Sequence, residues 1–297
     1  MSVSKSSFNW GRLVMWTLLV IIIFVTLFPF WWVLRTALTT QSMIFSDTTS
    51  LLPVGFTLDN FRRVLGFVST AENLEAGGSG QSLNFFLFLR NSIIFASLVT
   101  VGQVTFSTMA AYAFARLKFV GREFLFTLYI AALMVPGIVT LIPNFVLIRQ
   151  LGLQQTFAGL VAPYFFMTPF AVFFLRQFFI GINKDLEEAA KIDGASYFRI
   201  FWNIILPVSR PPITTLAIIT FITAWNEYLW PRVVGGAEDS VRVLTVALNI
   251  FKSQQPSGAP DWSGLMAGTF LAIIPVLILY MVVGRRVIDS IQFTGFK

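Results

Sequence analysis

Over 297 residues the chain is 56% hydrophobic and 12% charged, too apolar and too poor in charge for an ordinary soluble domain, which carries about 25% charged residues. Its net charge of +7 is dispersed in short clusters between apolar runs, with no basic helix or aromatic RNA-binding strand, and this argues against nucleic acid as a partner. Cys and His are both absent, which removes disulfides, thiol nucleophiles, Cys-based metal sites and the commonest general base.

A bilayer core of about 30 Å needs about 20 apolar residues in a helix, whose backbone polar groups then bond one another. The sequence predicts six such stretches, near residues 13–34, 91–115, 124–148, 157–180, 213–230 and 265–284. The first follows Lys5 and Arg12 like a signal peptide, but it is too long for an h-region and lacks an Ala-x-Ala site, so it is expected to be a retained signal anchor. Residues 35–90 then form an outer loop and lead-in to the second span, in which 72–80 is expected to be a flexible excursion.

The second span carries Thr100, Gln103 and Ser107 with Ala110 and Ala111 on roughly one face. Such a face serves either a substrate path or interhelical packing. Pro136, Gly137, Pro143, Pro163, Pro169 and Pro275 predict a kinked bundle, since each removes or weakens a helix hydrogen bond.

Residues 181–212, between the fourth and fifth spans, predict two short helices with a bend. Asp185 is placed to cap the first, with Glu188 reaching back to the cap, and Gly194 to stop it in the left-handed conformation. Ser196 starts a second, amphipathic helix expected to end before Pro207, and Pro211 and Pro212 set the entry to the fifth span. Near the outer end of that span come Trp225, Asn226, Glu227 and Tyr228. An ionisable group there is a functional-site candidate, with a packing network as the alternative. The aromatic residues suit either sugar stacking or interfacial anchoring.

Orientation follows from the excess of Lys and Arg in cytoplasmic segments. With the N-terminus inside, Lys5, Arg12, Arg116, Lys118, Arg122, Arg176, Lys184, Lys191, Arg199, Arg210, Arg285, Arg286 and Lys297 are cytoplasmic, 13 of the 21 basic residues. Both termini are then cytoplasmic. The expected fold is an all-α, multi-pass membrane protein of six transmembrane helices, a single domain over 1–297 with a cytoplasmic helix-bend-helix at 181–212. The chain has no Gly-x-x-x-x-Gly-Lys phosphate loop, so any ATP chemistry belongs to a partner. An ion-coupled secondary transporter is the main competing function; it usually needs intramembrane acids or His, and none is evident at mid-span.

The spaced pattern Glu188, Ala189, Ala190, Gly194, Ile204, Leu206 and Pro207 resembles the signature loop of permease subunits of ATP-binding-cassette importers. That resemblance implies a type I importer permease in which this loop docks in a cleft of the ATPase subunit. It implies the same role for Asp185, Glu187 and Asp193 within the loop. Residues 91–96, 111–122, 225–231, Asp261-Trp262 and 265–268 narrow the resemblance to the second permease subunit of maltose-type carbohydrate importers. The closing segment 291–297 departs from the small-residue tail common in that group. The implied partners are a second homologous permease, two ATP-binding-cassette ATPases carrying ATP and Mg, an extracytoplasmic solute-binding protein, membrane lipid and a sugar substrate. In the maltose-type system the other permease makes most substrate contacts. The resemblance also implies a transport subunit of the bacterial inner membrane that is not an enzyme, and no cofactor or metal is expected on this chain. A non-sugar cargo is the alternative within the same family.

Overall fold

The computed structural model describes residues 10–75, 83–253 and 260–293. The chain divides into two compact units, Met1–Asn84 with Leu248–Ala272 and Phe85–Ala247 with Ile273–Lys297. Helices are the regular elements of the described residues, with one isolated antiparallel bridge between Thr39 and Phe56.

In the first unit, α1 (Trp10–Ala37) is exposed along most of its length. It is apolar on every side, the pattern of a helix surrounded by lipid or by other membrane helices. Short helices α2 (Asp59–Val64) and α3 (Thr70–Glu75) follow. The segment expected to be flexible from residue 72 is helical through Glu75. Ser69 Oγ accepts from Glu72 N–H, and Glu72 Oε2 accepts from Ser69 N–H and Oγ–H, a reciprocal capping box that starts α3. These bonds, the one from the Ser69 backbone first, hold the Glu72 carboxyl below its usual range. The rest of that segment lies outside the described residues.

The second unit is organised on α4 (Phe85–Arg116), which begins six residues before the expected start because no helix breaker separates Phe85 from Asn91. There follow α5 (Arg122–Ala131), α6 (Gly137–Gln150), α7 (Phe157–Phe165), α8 (Pro169–Gly181), α9 (Asp185–Ile192), α10 (Tyr197–Ile200), α11 (Leu206–Val208), α12 (Arg210–Trp225) and α13 (Leu229–Gly235). Two further helices, α14 (Leu244–Ser253) and α15 (Trp262–Phe293), close the chain. α4 packs against α7, α8 and α12. At Gly102 its backbone comes so close to α7 that an added Cβ would lie 2.4 Å from the Phe165 ring.

Three helices, Trp10–Ala37, Phe85–Arg116 and Trp262–Val282, are each long and apolar enough to cross a bilayer. The other three apolar stretches are bent pairs: Arg122–Met134 with Gly137–Gln150 at 99°, Phe157–Phe165 with Pro169–Gly181 at 43°, and Tyr197–Val208 with Arg210–Trp225 at 77°. Two of the expected stretches, 124–148 and 157–180, are thus broken within their length, whereas the fifth, from 213, lies beyond its bend, whose first arm is the second half of the 181–212 segment. Two of the three breaks fall at proline for a steric reason, since the residue before Pro is pushed out of the helical region; the third falls at Ser209, ahead of Arg210 and Pro211. Val135 is extended before Pro136, and Thr168 before Pro169. Pro143, Pro163 and Pro275 instead sit inside continuous helices. The fifth stretch ends early, at Trp225, where Asn226 is the C-cap of a 16-residue helix, and α13 starts three residues later.

Candidate functional site: an elbow and a cavity on one long helix

The elbow forms around Gly194. Its φ of +77° is the left-handed conformation that a Cβ disfavours. Ala195 N–H donates to Ala190 C=O at 2.9 Å and Gly194 N–H to Lys191 C=O at 3.0 Å, the paired bonds of a Schellman ending. Ser196 Oγ then accepts from Arg199 N–H and caps α10, as its position predicts. The first cap differs from expectation. α9 begins after Lys184, which has helical dihedrals, and neither Asp185 nor Glu188 caps it. Asn183 Oδ1 takes the Asp185 N–H and Asn183 Nδ2 donates to the Asp185 carboxylate. The competing Asx turn occupies the group that the capping box would use.

The second elbow helix also runs further than expected. Phe201–Ile205 is a π-helical turn and the helix continues through Pro207 to Val208. The wider turn is closed by Leu206 N–H to Phe201 C=O, so the missing N–H of Pro207 falls just past a local change in the hydrogen-bond ladder.

One side of the elbow is buried. Ile200, Phe201 and Ile205 pack with Tyr112 of α4, Val172, Leu175 and Phe179 of α8 and Leu216 of α12, and Ala190, Ile204 and Leu206 lie half-buried against them. The other side carries exposed apolar residues: Leu186, Ile192 (87% exposed), Phe198 and Trp202. Ala189, Asp193, Glu188, Asp185 and Pro207 are exposed as well.

Glu187, the one fully buried residue of α9, faces inward. Its Oε1 lies 2.9 Å from Arg116 Nε at the end of α4, with both side chains about 95% buried. The contact is ionic rather than a straight N–H···O bond. Arg116 also donates through Nη2 to Ile182 C=O, just before the elbow. Nearby, Arg176 of α8 lies 4.0 Å over the Phe126 ring of α5, 3.5 Å from Glu123, and donates to Phe114 C=O. The end of α4, the start of α5, the end of α8 and the elbow thus converge. This Arg116 contact escapes sequence reading because its partners are far apart in the chain.

Thirteen residues back along α4, Gln103 faces a cavity of about 280 Å³ lined by residues of α4, α7, α8 and α12 and by Glu227. Its amide nitrogen donates to Thr168 Oγ at 3.1 Å and to Thr220 Oγ at 3.5 Å. Glu227 Oε1 accepts from Trp230 N–H at 3.2 Å. Of the seven residues that the sequence offers for a substrate path, the cavity brings these two together. Thr100 turns its hydroxyl back to Ala96 C=O, and buried Ser107 accepts from Thr168 N–H. Trp225 is buried and stacked on Phe221, Asn226 Nδ2 donates to Ile222 C=O, and Tyr228 precedes α13. The aromatic wall of the cavity, Phe95, Tyr164 and Phe170, is not signalled by local sequence. No group of three or more Asp or Glu residues able to hold a metal occurs among the described residues.

Residues 103–292 match a family described as binding-protein-dependent transport system inner membrane component. The chain is similar to the sn-glycerol-3-phosphate transport system permease protein UgpE of Yersinia pestis bv. Antiqua (strain Antiqua), 33% identical over 90% of this chain and 91% of that protein. It is also similar to the arabinooligosaccharides transport system permease protein AraQ of Halalkalibacterium halodurans, 32% identical over 82% of this chain and 81% of that protein. Its fold is shared with a chain of a bacterial ABC transporter involved in the import of the acidic polysaccharide alginate, at a TM-score of 0.75 and 22% identity, covering 96% of this chain and 99% of that one.

Proposed function

Because the chain belongs to the family of binding-protein-dependent transport system inner membrane components, we propose that it works as the permease subunit of an ATP-driven importer carrying a sugar or oligosaccharide into a bacterial cell. It pairs with a second homologous permease. Two ATP-binding-cassette ATPases hold ATP and Mg, and an extracytoplasmic binding protein delivers the cargo. The chain crosses the membrane six times, the Arg122–Gln150 and Phe157–Gly181 pairs counting once each and α12 belonging to the fifth span, with both termini and the elbow in the cytoplasm and the 35–90 loop outside.

The observation that carries this reading is the elbow. A capped, Gly-hinged helix pair is buried on one face and presents Leu186, Ile192, Phe198 and Trp202 on the other. Such apolar residues beside charged ones mark a protein interface. Asp185, Glu187, Glu188, Ala189, Ala190, Asp193, Gly194, Ile204, Leu206 and Pro207 form the coupling element, with Glu187 on its inner side and Ala189 and Asp193 on its outer side. Arg116 is where movement of the elbow enters α4, and through α4 it reaches Gln103 in the cavity that passes the cargo. Sugar import is supported by the arabinooligosaccharide system to which the chain is similar.

The test is Gly194→Val in the complex purified from native membranes. A β-branched residue at this φ costs about 1–2 kcal/mol locally and distorts the elbow outside the bilayer. The subunit is expected in membranes at near-normal amounts, with loss of ATPase association or of hydrolysis stimulated by loaded binding protein. Normal stimulated hydrolysis would remove the elbow from the coupling path. Topology is tested separately: the chain has no native Cys, and Lys191→Cys is expected to resist an impermeant thiol reagent in intact cells.

A further inference from the structure

We propose that the cavity beside Gln103 is a selectivity site for uncharged, hydroxyl-rich cargo, and that the Glu227 carboxylate excludes anionic solutes from it. The inference rests on the importer reading above and narrows its cargo class. Three observations carry it. First, the lining holds one carboxyl group, Glu227, and no Lys or Arg. Among the described residues no Lys or Arg forms an ion pair with Glu227, and its carboxylate takes a hydrogen bond from Trp230 N–H through Oε1. The negative charge is thus left to act on whatever enters the cavity, in surroundings where an apolar wall strengthens it.

Second, the strongest hydrogen-bonding group left in the lining is an acceptor. The hydroxyl of Thr223 is already committed to Ile219 C=O. Thr168 Oγ accepts from Gln103 and from Ala171 N–H, and the Gln103 amide nitrogen is shared between Thr168 and Thr220. The O–H groups of Thr168, Thr220 and Tyr164 remain as neutral donors, but the one carboxylate of the lining, Glu227, is an acceptor, and a sugar hydroxyl donates to a carboxylate in a charge-assisted bond. A phosphate or uronate brings a like charge to the same carboxylate, and that is disfavoured. Third, Phe95, Tyr164 and Phe170 supply an aromatic wall to the same space, a surface for the C–H face of a sugar ring. At about 280 Å³ the cavity lies just under the roughly 300–1,000 Å³ of small-molecule sites, which suits one ring of a chain passing through. Two of the transport systems that the chain is similar to are described by anionic compounds, glycerol phosphate and alginate, so the inference separates this subunit from them.

The absence of native Cys permits a direct test in the reconstituted complex. Thr223→Cys places a thiol in the cavity. It is reacted with a cationic (trimethylammonium) and an anionic (sulfonate) methanethiosulfonate, and the rate ratio is divided by that for a small free thiol. The expected ratio favours the cation by at least about tenfold, since unlike and like charges differ in sign at the same site. Adding Glu227→Gln should collapse it to within about threefold of the free-thiol value. A neutral arabino-oligosaccharide should slow labelling of the Thr223→Cys complex more than glycerol 3-phosphate or an oligouronate at equal concentration. A ratio unmoved by Glu227→Gln, stronger protection by the anions, or no labelling by either reagent would each overturn the inference. Failure of the importer reading is distinguishable: it would show as absence of binding-protein-stimulated ATP hydrolysis in the complex with the native residues at 223 and 227.

Discussion

Arg63 and Asp261 in the first unit meet as a buried pair at 3.1 Å inside a saturated network, whereas Arg116 and Glu187 in the second meet at 2.9 Å with little around them. Arg63 also donates to Asn60 Oδ1 and Ser263 Oγ, and Asp261 accepts from Gly264 N–H and Ser263 Oγ–H. Asn60 in turn donates to Ala37 and Thr39 C=O, and Ser263 to Gln41. Arg116 adds a single carbonyl, that of Ile182. Burying two charges costs several kcal/mol per ion, repaid only when geometry is good and the remaining donors and acceptors are met. The first pair meets that condition and braces the loop after α1 to the start of α15. The second leaves the charges held chiefly by each other, the arrangement on which the proposed coupling role relies.

The comparison predicts different outcomes when each pair is replaced by apolar residues. Arg63→Met with Asp261→Leu should be the more damaging, because Asn60, Ser263 and Gly264 N–H lose partners in a buried place at about 1–3 kcal/mol for each group left unsatisfied. The expected readout is a sharp fall in the amount of subunit in membranes and in its melting temperature in detergent. If this double change left both intact, the network would not be a brace.

Next in size is Gly102→Leu, which separates packing from charge. The side chain would drive into the Phe165 ring, 2.4 Å from the position of its first carbon, and overpacking of this kind costs about 1–3 kcal/mol. Lower thermal stability of the purified subunit with partial retention of assembly is expected; an unchanged melting curve would mean that α4 and α7 do not sit this close.

Much of this architecture is legible in the sequence where the physics is local. Gly194 and Ser196 signal the bend and the second cap by residue type and spacing, and the structure has both. The first cap is misread because Asn183, two residues before Asp185, takes the same backbone N–H. Prolines announce breaks without ranking them: Pro136 and Pro143 look alike in sequence, but Val135 is extended before the first, while the second rides inside α6. Glu227 stands out as an acid at the edge of an apolar stretch. Its cavity does not, since Phe95, Tyr164 and Phe170 come from three separate helices. The Arg116–Glu187 contact is hidden for the same reason, although each residue sits in a motif that the sequence marks.

The central claim, that the elbow drives α4 through the sparse ion pair, is tested most directly by stimulated ATP hydrolysis of the reconstituted complex carrying Arg116→Met with Glu187→Met. Removing both charges together leaves no unpaired buried ion, so stability is expected to be near neutral or better, with normal subunit amounts and normal ATPase association. Hydrolysis stimulated by loaded binding protein, and uptake with it, should fall by about 5- to 150-fold, the range of an ordinary coupling free energy between sites. Full stimulation and full uptake in a stably assembled complex would contradict the account.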